Sequence, residues 1–233
     1  LAHGIYNIRH HLKSVSKTDQ VQRTRRRKTG IPNVALVGYT NAGKSTLMNQ
    51  LVRKFGQNED KQVKVKNMLF ATLSTEVRKL TLPNQMQFML SDTVGFVSKL
   101  PHQLVSAFRA TLSEAAHADL LIQVVDYSSP NRQLMMNTTQ KTLKAIGIKN
   151  KPMLIIFNKA DRTNTDYPVQ EGNALITSVK NFDSKSIHFL IKMIKHQLYR
   201  NYVTAEFLIP FTQGQITAYL NHHANVIKTK YSA

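Results

Sequence analysis

Three short stretches of this sequence hold residue types that could handle a phosphorylated ligand. Gly38-Tyr39-Thr40-Asn41-Ala42-Gly43-Lys44-Ser45 follows an apolar run and opens a helical pattern that continues through Thr46 to about Phe55. Glycines there let the backbone curl, so that successive N–H groups and the helix N-terminus face phosphates. Lys44 reaches the β and γ oxygens, and Ser45 offers its hydroxyl to magnesium. Asp92-Thr93-Val94-Gly95 ends a second apolar run. An aspartate at that place can hold a magnesium-bound water while a glycine N–H touches the γ-phosphate. By itself the quartet is an ordinary strand-terminating turn, and only the preceding phosphate loop gives it meaning.

Asn158-Lys159-Ala160-Asp161 chooses the base. It ends the apolar run Met153 to Phe157, at the sheet edge where open α/β folds bind ligands. A carboxylate at Asp161 can accept hydrogen bonds from the ring N–H and the exocyclic amine of guanine together. Adenine offers no such donor pair and would leave the carboxylate unpaired. GTP and GDP are therefore the expected ligands. Ser178-Val179-Lys180, after the next strand, is placed to close over the base through backbone groups, although the triplet alone carries no specificity. One threonine must complete the magnesium shell and sense the γ-phosphate. Thr72, within Phe70-Ala71-Thr72-Leu73-Ser74, is the choice, with Thr75 as competitor.

The elements that must position these residues read as a sheet with crossover helices. Val34 to Val37 is a buried strand, and Leu47, Leu51 and Phe55 mark one face of the helix that begins at Gly43. Gly56 to Met68 is polar and charged, a mobile loop. Val77 to Leu82 and Met86 to Leu90 read as a hairpin around Pro83-Asn84-Gln85. Leu104, Phe108, Leu112 and Ala115 mark a helix after Pro101. Leu120 to Val125 and Met153 to Phe157 are central strands, with a helix near Gln133 to Ile146 between them. The strand Ala174 to Ile176 and a helix carrying Ile187, Leu190, Ile191, Ile194 and Leu198 close the cycle. The expectation is an α/β fold with a doubly wound, mostly parallel sheet of the small-GTPase-like P-loop type. Phe207 to Phe211 could be a strand and Gln213 to Asn221 a short helix, so residues 201–233 look like the start of another domain.

Thirty-two Lys plus Arg against 13 Asp plus Glu give a net charge of +19, which favours a polyanionic partner. Nucleic acid and an anionic membrane are the candidates, and simple solubility is the plain alternative. Residues 1–30 form a basic arm with eight basic residues and one acid, Asp19; a solvated linker is an equally simple reading. The chain has no cysteine, which excludes disulfides and thiolate chemistry. No run reaches the roughly 18 to 20 apolar residues of a membrane span, so stable membrane insertion is not expected and the cytoplasm is the default. The histidines lack metal-ligand spacing, and no zinc is expected. A chain that begins at Leu1 reads as a fragment or a processed product.

With these residues assembled, the chain resembles the HflX family of ribosome-associated GTPases. Val34 to Leu47, Leu69 to Leu73, Leu90 to Val97 and Leu100 to Leu112 carry the resemblance, which spans about residues 20–200. It implies a GTPase that binds the large ribosomal subunit and its rRNA, in a family whose members split or rescue stalled ribosomes under stress. It also implies a missing N-terminal domain, making residues 1–30 the tail of its linker, 31–200 the GTPase domain and 201–233 part of a small C-terminal domain. A monomer is expected. Leu73-Ser74-Thr75-Glu76 and Ser178-Val179 depart from the family pattern, which touches loop details. Phe96 stands where many small GTPases place a water-orienting glutamine, and a phenyl ring cannot do that job. Catalysis then falls to Lys44, Asn41 and Thr72. Asn41 either helps hold a potassium ion between the β and γ phosphates or only orders the turn. Arg78 and Arg109 are candidate phosphate or RNA contacts, with solvated surface arginines as the alternative. A nucleotide-gated binding module without useful hydrolysis, and a GTPase acting at an anionic membrane, are the competing readings.

Overall fold

The computed structural model describes residues 30–56, 76–83, 86–93, 95, 113–200, 203–224 and 226–231. The chain divides into two compact units, Leu1–Ile31 and Pro32–Ala233. Of the first unit only Gly30 and Ile31 are described, so the basic arm lies outside the described residues. The loop at 57–68, the segment Phe70 to Thr75, Val94, Phe96 and, of the helix read after Pro101, Leu104, Phe108, Arg109 and Leu112 lie outside them too, while Ala115 stands in the described helix Ser113–His117.

The second unit is built on a seven-stranded sheet. In chain order its elements are β1 (Asn33–Val37), α1 (Lys44–Phe55), β2 (Glu76–Thr81), β3 (Gln87–Asp92), α2 (Ser113–His117), β4 (Leu120–Asp126) and α3 (Arg132–Ala145). Then come β5 (Met153–Asn158), β6 (Val169–Glu171), β7 (Ala174–Ile176), α4 (Ser184–Leu198) and α5 (Gly214–His223). The strand order is β2-β3-β1-β4-β5-β7-β6. The central pairs are parallel, and β2 and β6 are antiparallel at the two edges.

Alternation along β1 shows why helices flank both faces. Val34 and Leu36 pack with Leu47, Met48 and Leu51 of α1 and with Leu190 and Ile194 of α4. Ala35 and Val37 pack on the other face with Ala115 of α2 and Leu143 of α3. A strand covered on both sides is apolar at most positions, and all four of these β1 residues are apolar and fully buried. The α4 helix starts where Asp183 accepts a hydrogen bond from the Ser186 backbone N–H at 2.7 Å. That bond, with one from the Ser186 side chain, holds the Asp183 carboxyl below the usual range.

The doubly wound, mostly parallel expectation is met, with two local differences. The edge strand β6 was not anticipated: it is three residues long, follows Pro168, and carries Gln170 and Glu171. Phe207 to Phe211 is no strand. The chain runs irregularly over 203–210 and turns through a 3₁₀ segment, Phe211–Gln213, into α5. Leu208 is 95% exposed there, no strand among the described residues supplies ladder partners, and Pro210 has no N–H to give. Among the described residues, no helix is long and apolar enough to cross a membrane.

Candidate nucleotide site

The described motif segments after β1, β3, β5 and β7 leave the carboxyl edge of this sheet. Leu36 pairs with Asp92 and Asp126 pairs with Asn158, so the ends of β3, β1, β4 and β5 stand side by side. The loop after β1 begins at Gly38, whose φ is 145° and whose missing side chain makes room for a neighbour. A Cβ there would lie 2.2 Å from the Val124 carbonyl oxygen. Asn41 takes a left-handed backbone, φ 59°, a conformation that asparagine tolerates better than most residues. Its side chain is exposed. Gly43 caps α1 with φ 105° and no side-chain bond, and the first turn of that helix has no acid. The free N–H groups and the positive end of the dipole are thus left for an anion.

Lys44 is buried and donates to the carbonyl oxygens of Gly38 at 3.2 Å and Tyr39 at 3.1 Å. Burial lowers its pKa to about 8, with the Asp92 carboxylate pulling the other way. A buried ammonium resting on two carbonyls gains by exchanging them for phosphate oxygens. Ser45 Oγ donates to Asp92 Oδ2 at 2.5 Å, and Asp92 is fully buried at the end of β3. Thr93 Oγ1 donates to the Leu36 carbonyl at 2.6 Å, fixing the following turn. That turn brings Gly95 onto the loop: a Cβ on it would lie 2.7 Å from Thr40 Cα and 3.1 Å from Lys44 Nζ. The hydroxyl of Ser45 and the carboxylate of Asp92 are adjacent hard oxygen donors, which fits magnesium completed by water and phosphate. Among the described residues no group of three His, Cys, Asp or Glu could hold a metal, and magnesium held with substrate phosphates needs none.

The loop at 158–161, read from the sequence as choosing the base, is braced by Asn158. Its Nδ2 donates to the Ala42 carbonyl at 2.8 Å, and its Oδ1 accepts from Lys159 N at 2.7 Å and Val179 N at 2.8 Å. One side chain thereby ties the phosphate loop to both base loops. Gln50 of α1 adds a bond to the Val179 carbonyl at 3.0 Å. Both backbone groups of Val179, which lies between the buried Ser178 and the exposed Lys180, are engaged inside the protein. Asp161 stands in a 3₁₀ turn, Ala160–Arg162, which is held by the Ala160 N–H to the Thr177 carbonyl at 3.2 Å. Its carboxylate has no hydrogen-bond partner among the described residues.

Asp126, at the end of β4, was not singled out in the sequence. Its Oδ2 accepts from Lys159 Nζ at 2.6 Å, and its Oδ1 accepts from Ser128 Oγ at 2.6 Å and Ser128 N at 3.1 Å. The only signal was an acid ending an apolar strand next to one that carries a motif. Lys159 sits at φ 69°, so its backbone needs holding. Partial burial disfavours the Asp126 carboxylate, but the Lys159 and Ser128 bonds outweigh it and lower the pKa. The sign follows: this pairing stabilises the fold above the ordinary aspartate pKa and is lost as pH falls through the depressed one. Asp126→Asn is expected to weaken GDP binding about tenfold at neutral pH, as for a partly buried charged hydrogen bond. It should also flatten the acid limb of the unfolding midpoint against pH. Titration with a fluorescent GDP analogue and melting from pH 7 to 3 check both; unchanged binding would reduce Asp126 to a surface pair.

Of the nucleotide residues read from the sequence, the structure brings Gly38 to Thr46, Asp92, Thr93, Gly95, Asn158 to Asp161 and Ser178 to Lys180 to one edge. Phe70, Ala71, Thr72, Leu73, Ser74 and Val94 lie outside the described residues. Residues 33–159 match the family described as 50S ribosome-binding GTPase, which is more than half of the chain. The chain belongs to that family. As a 50S ribosome-binding GTPase family member it is 38% identical to GTPase HflX of Caldanaerobacter subterraneus subsp. tengcongensis over 224 residues, 96% of this chain and 50% of that protein. Over 144 residues it is 48% identical to GTPase HflX of Flavobacterium psychrophilum, covering 61% of this chain and 33% of that one. These relatives bear out the HflX resemblance. The chain spans about half the length of such curated relatives or less.

Among solved structures, a GTP-binding protein from Sulfolobus solfataricus in complex with GDP is 27% identical, with a TM-score of 0.53 over 83% of this chain and 64% of that one. A variant of Era from Aquifex aeolicus bound to GDP.AlF4- reaches a TM-score of 0.58 at 22% identity, over 77% of this chain and 60% of that one. The second likeness speaks for the fold alone. The family match ends at Lys159, so it includes the phosphate loop and Asn158 but stops before Asp161.

Proposed function

We propose that this chain is a magnesium-dependent switch that binds and hydrolyses GTP in the cytoplasm and acts on the large ribosomal subunit, in ribosome splitting or rescue under stress. The observation that carries the reading is the single hydrogen-bonded brace at Asn158. It couples a phosphate loop to a loop whose Asp161 carboxylate is unpartnered among the described residues and suited to guanine. Family membership and the +19 charge support a ribosomal RNA partner.

On this reading the α1 N-terminus and Lys44 bind the phosphates, and Asp161 reads the base edge. Ser45 and Thr72 would hold magnesium, with Asp92 holding it through a water, and the ion would supply charge neutralisation at the β and γ oxygens. Lys44 stabilises charge that builds on the oxygens between those phosphates. Asn41 is assigned to a potassium ion at the same place, and exchange of potassium for sodium is expected to lower turnover severalfold. Equal rates in both ions would leave Asn41 a turn residue. Co-sedimentation with purified large subunits should be strong with a non-hydrolysable GTP analogue and weak with GDP, and GTP turnover should rise on adding subunits. No intrinsic or stimulated hydrolysis would replace the enzyme by a nucleotide-gated binding module. Absence of co-sedimentation in either state, alongside binding to anionic vesicles, would move the partner to a membrane.

A further inference from the structure

The amino edge of the sheet, at the far end of the strands from the nucleotide loops, carries a cavity of about 480 Å³. Its floor is apolar: Leu143 near the end of α3, Ile148 in the following turn and Met153 at the start of β5. Its rim is polar and basic, with Lys144, Lys149 and the amides of Gln140 and Asn150. None of the described residues that line it is acidic. Lys144, in the last turn of α3, offsets the negative end of that helix, but Lys149 has no such duty. Neither lysine has an ion-pair partner among the described residues, and both are exposed. Lys141, one turn back on α3, is exposed as well. Lys151 differs: its ammonium donates to the Ala118 carbonyl at 2.5 Å and serves as part of the wall.

We propose that this cavity is a second RNA contact, one that takes an unpaired base of single-stranded RNA. The volume falls within the range of small-molecule sites, roughly 300 to 1,000 Å³. The apolar floor takes the face of a base, the rim amides of Gln140 and Asn150 meet its edge, and Lys144 and Lys149 meet the flanking phosphates. An acidic peptide would satisfy the lysines, but its Asp and Glu side chains offer no flat ring face for the apolar floor to cover. A polyanion charged at every unit also suits a chain at +19. The choice of RNA rests on the ribosomal reading above; the cavity and its lysines stand independently of it.

The test uses the full chain and a decamer of uridine carrying 4-thiouridine, irradiated at 365 nm and mapped by peptide mass spectrometry. The expected result is a cross-link within residues 140–153 that falls at least fivefold in Lys144→Glu/Lys149→Glu, whose melting temperature stays that of the parent. Cross-links confined to other segments would overturn the proposal, as would equal yields in the double variant. So would stronger competition from a polyglutamate peptide than from the unlabelled decamer. Co-sedimentation with large subunits but no cross-link at 140–153 removes the cavity contact and leaves the ribosomal function. A cross-link there without co-sedimentation keeps the RNA contact and removes the large subunit as the partner.

Discussion

Alanine in place of Asn158 is expected to lower the affinity for both GDP and GTP by about a hundredfold or more, and to cost the nucleotide-free protein about 3 kcal/mol. The side chain is 4% exposed and makes three hydrogen bonds, to the Ala42 carbonyl and to the N–H groups of Lys159 and Val179. Removing it leaves a carbonyl and two N–H groups without their protein partners. Gly43 would lose its neighbour too, because its missing side chain makes room for Asn158 Nδ2. The phosphate and base loops would then order separately, and each binding event would have to supply the ordering entropy. Fluorescent-GDP titration and thermal unfolding check the two effects. Asn158→Asp, which keeps the acceptor and loses the donor, should fall between parent and alanine; parental affinity in the alanine variant would dismantle the brace.

Asp161→Asn is expected to act on the base alone. The carboxylate makes no hydrogen bond among the described residues, so its replacement leaves the fold and melting temperature near those of the parent. Guanine, however, presents two N–H donors to this position, and an amide offers only one acceptor beside a donor that clashes with the exocyclic amine. A site built to hydrogen-bond a ligand rejects a mismatched one by several orders of magnitude, so GDP affinity should fall about a thousandfold. Xanthosine diphosphate carries an oxygen where guanine has the amine, and it should gain correspondingly. Competition of both diphosphates against a fluorescent nucleotide measures the exchange. Loss of GDP binding without gain for xanthosine diphosphate would mean that Asp161 positions the loop instead of reading the base.

Much of this site was legible because phosphate recognition depends on local backbone shape. Gly38, Gly43, Lys44 and Ser45 act within one turn, so their spacing is already a geometry; the positive φ of both glycines is what that spacing required. The central strands were equally plain, because strands buried on both faces are nearly continuous apolar runs, as Leu120 to Val125 is apart from the buried Gln123, whose amide donates to the Met136 carbonyl. Edge elements were not. β6 is short and partly polar, and Phe207 to Phe211 has a strand-like composition without a partner to pair with. Strand propensity describes a fit to neighbours, which a segment does not carry within itself.

By itself the sequence determined the order of the motifs and the alternation of strands and helices. It named Asn158 as part of the base loop. Only the tertiary structure decided that this side chain points back to Ala42 and across to Val179, and that Asp126 holds Lys159 from the neighbouring strand. Those contacts join residues 116, 21 and 33 positions apart. Their partners are set by strand order and register, with Asp126 opposite Asn158, and no local pattern encodes that pairing. The cavity between α3 and the start of β5 has the same origin: its lysines are ordinary surface residues until packing gathers them around an apolar floor.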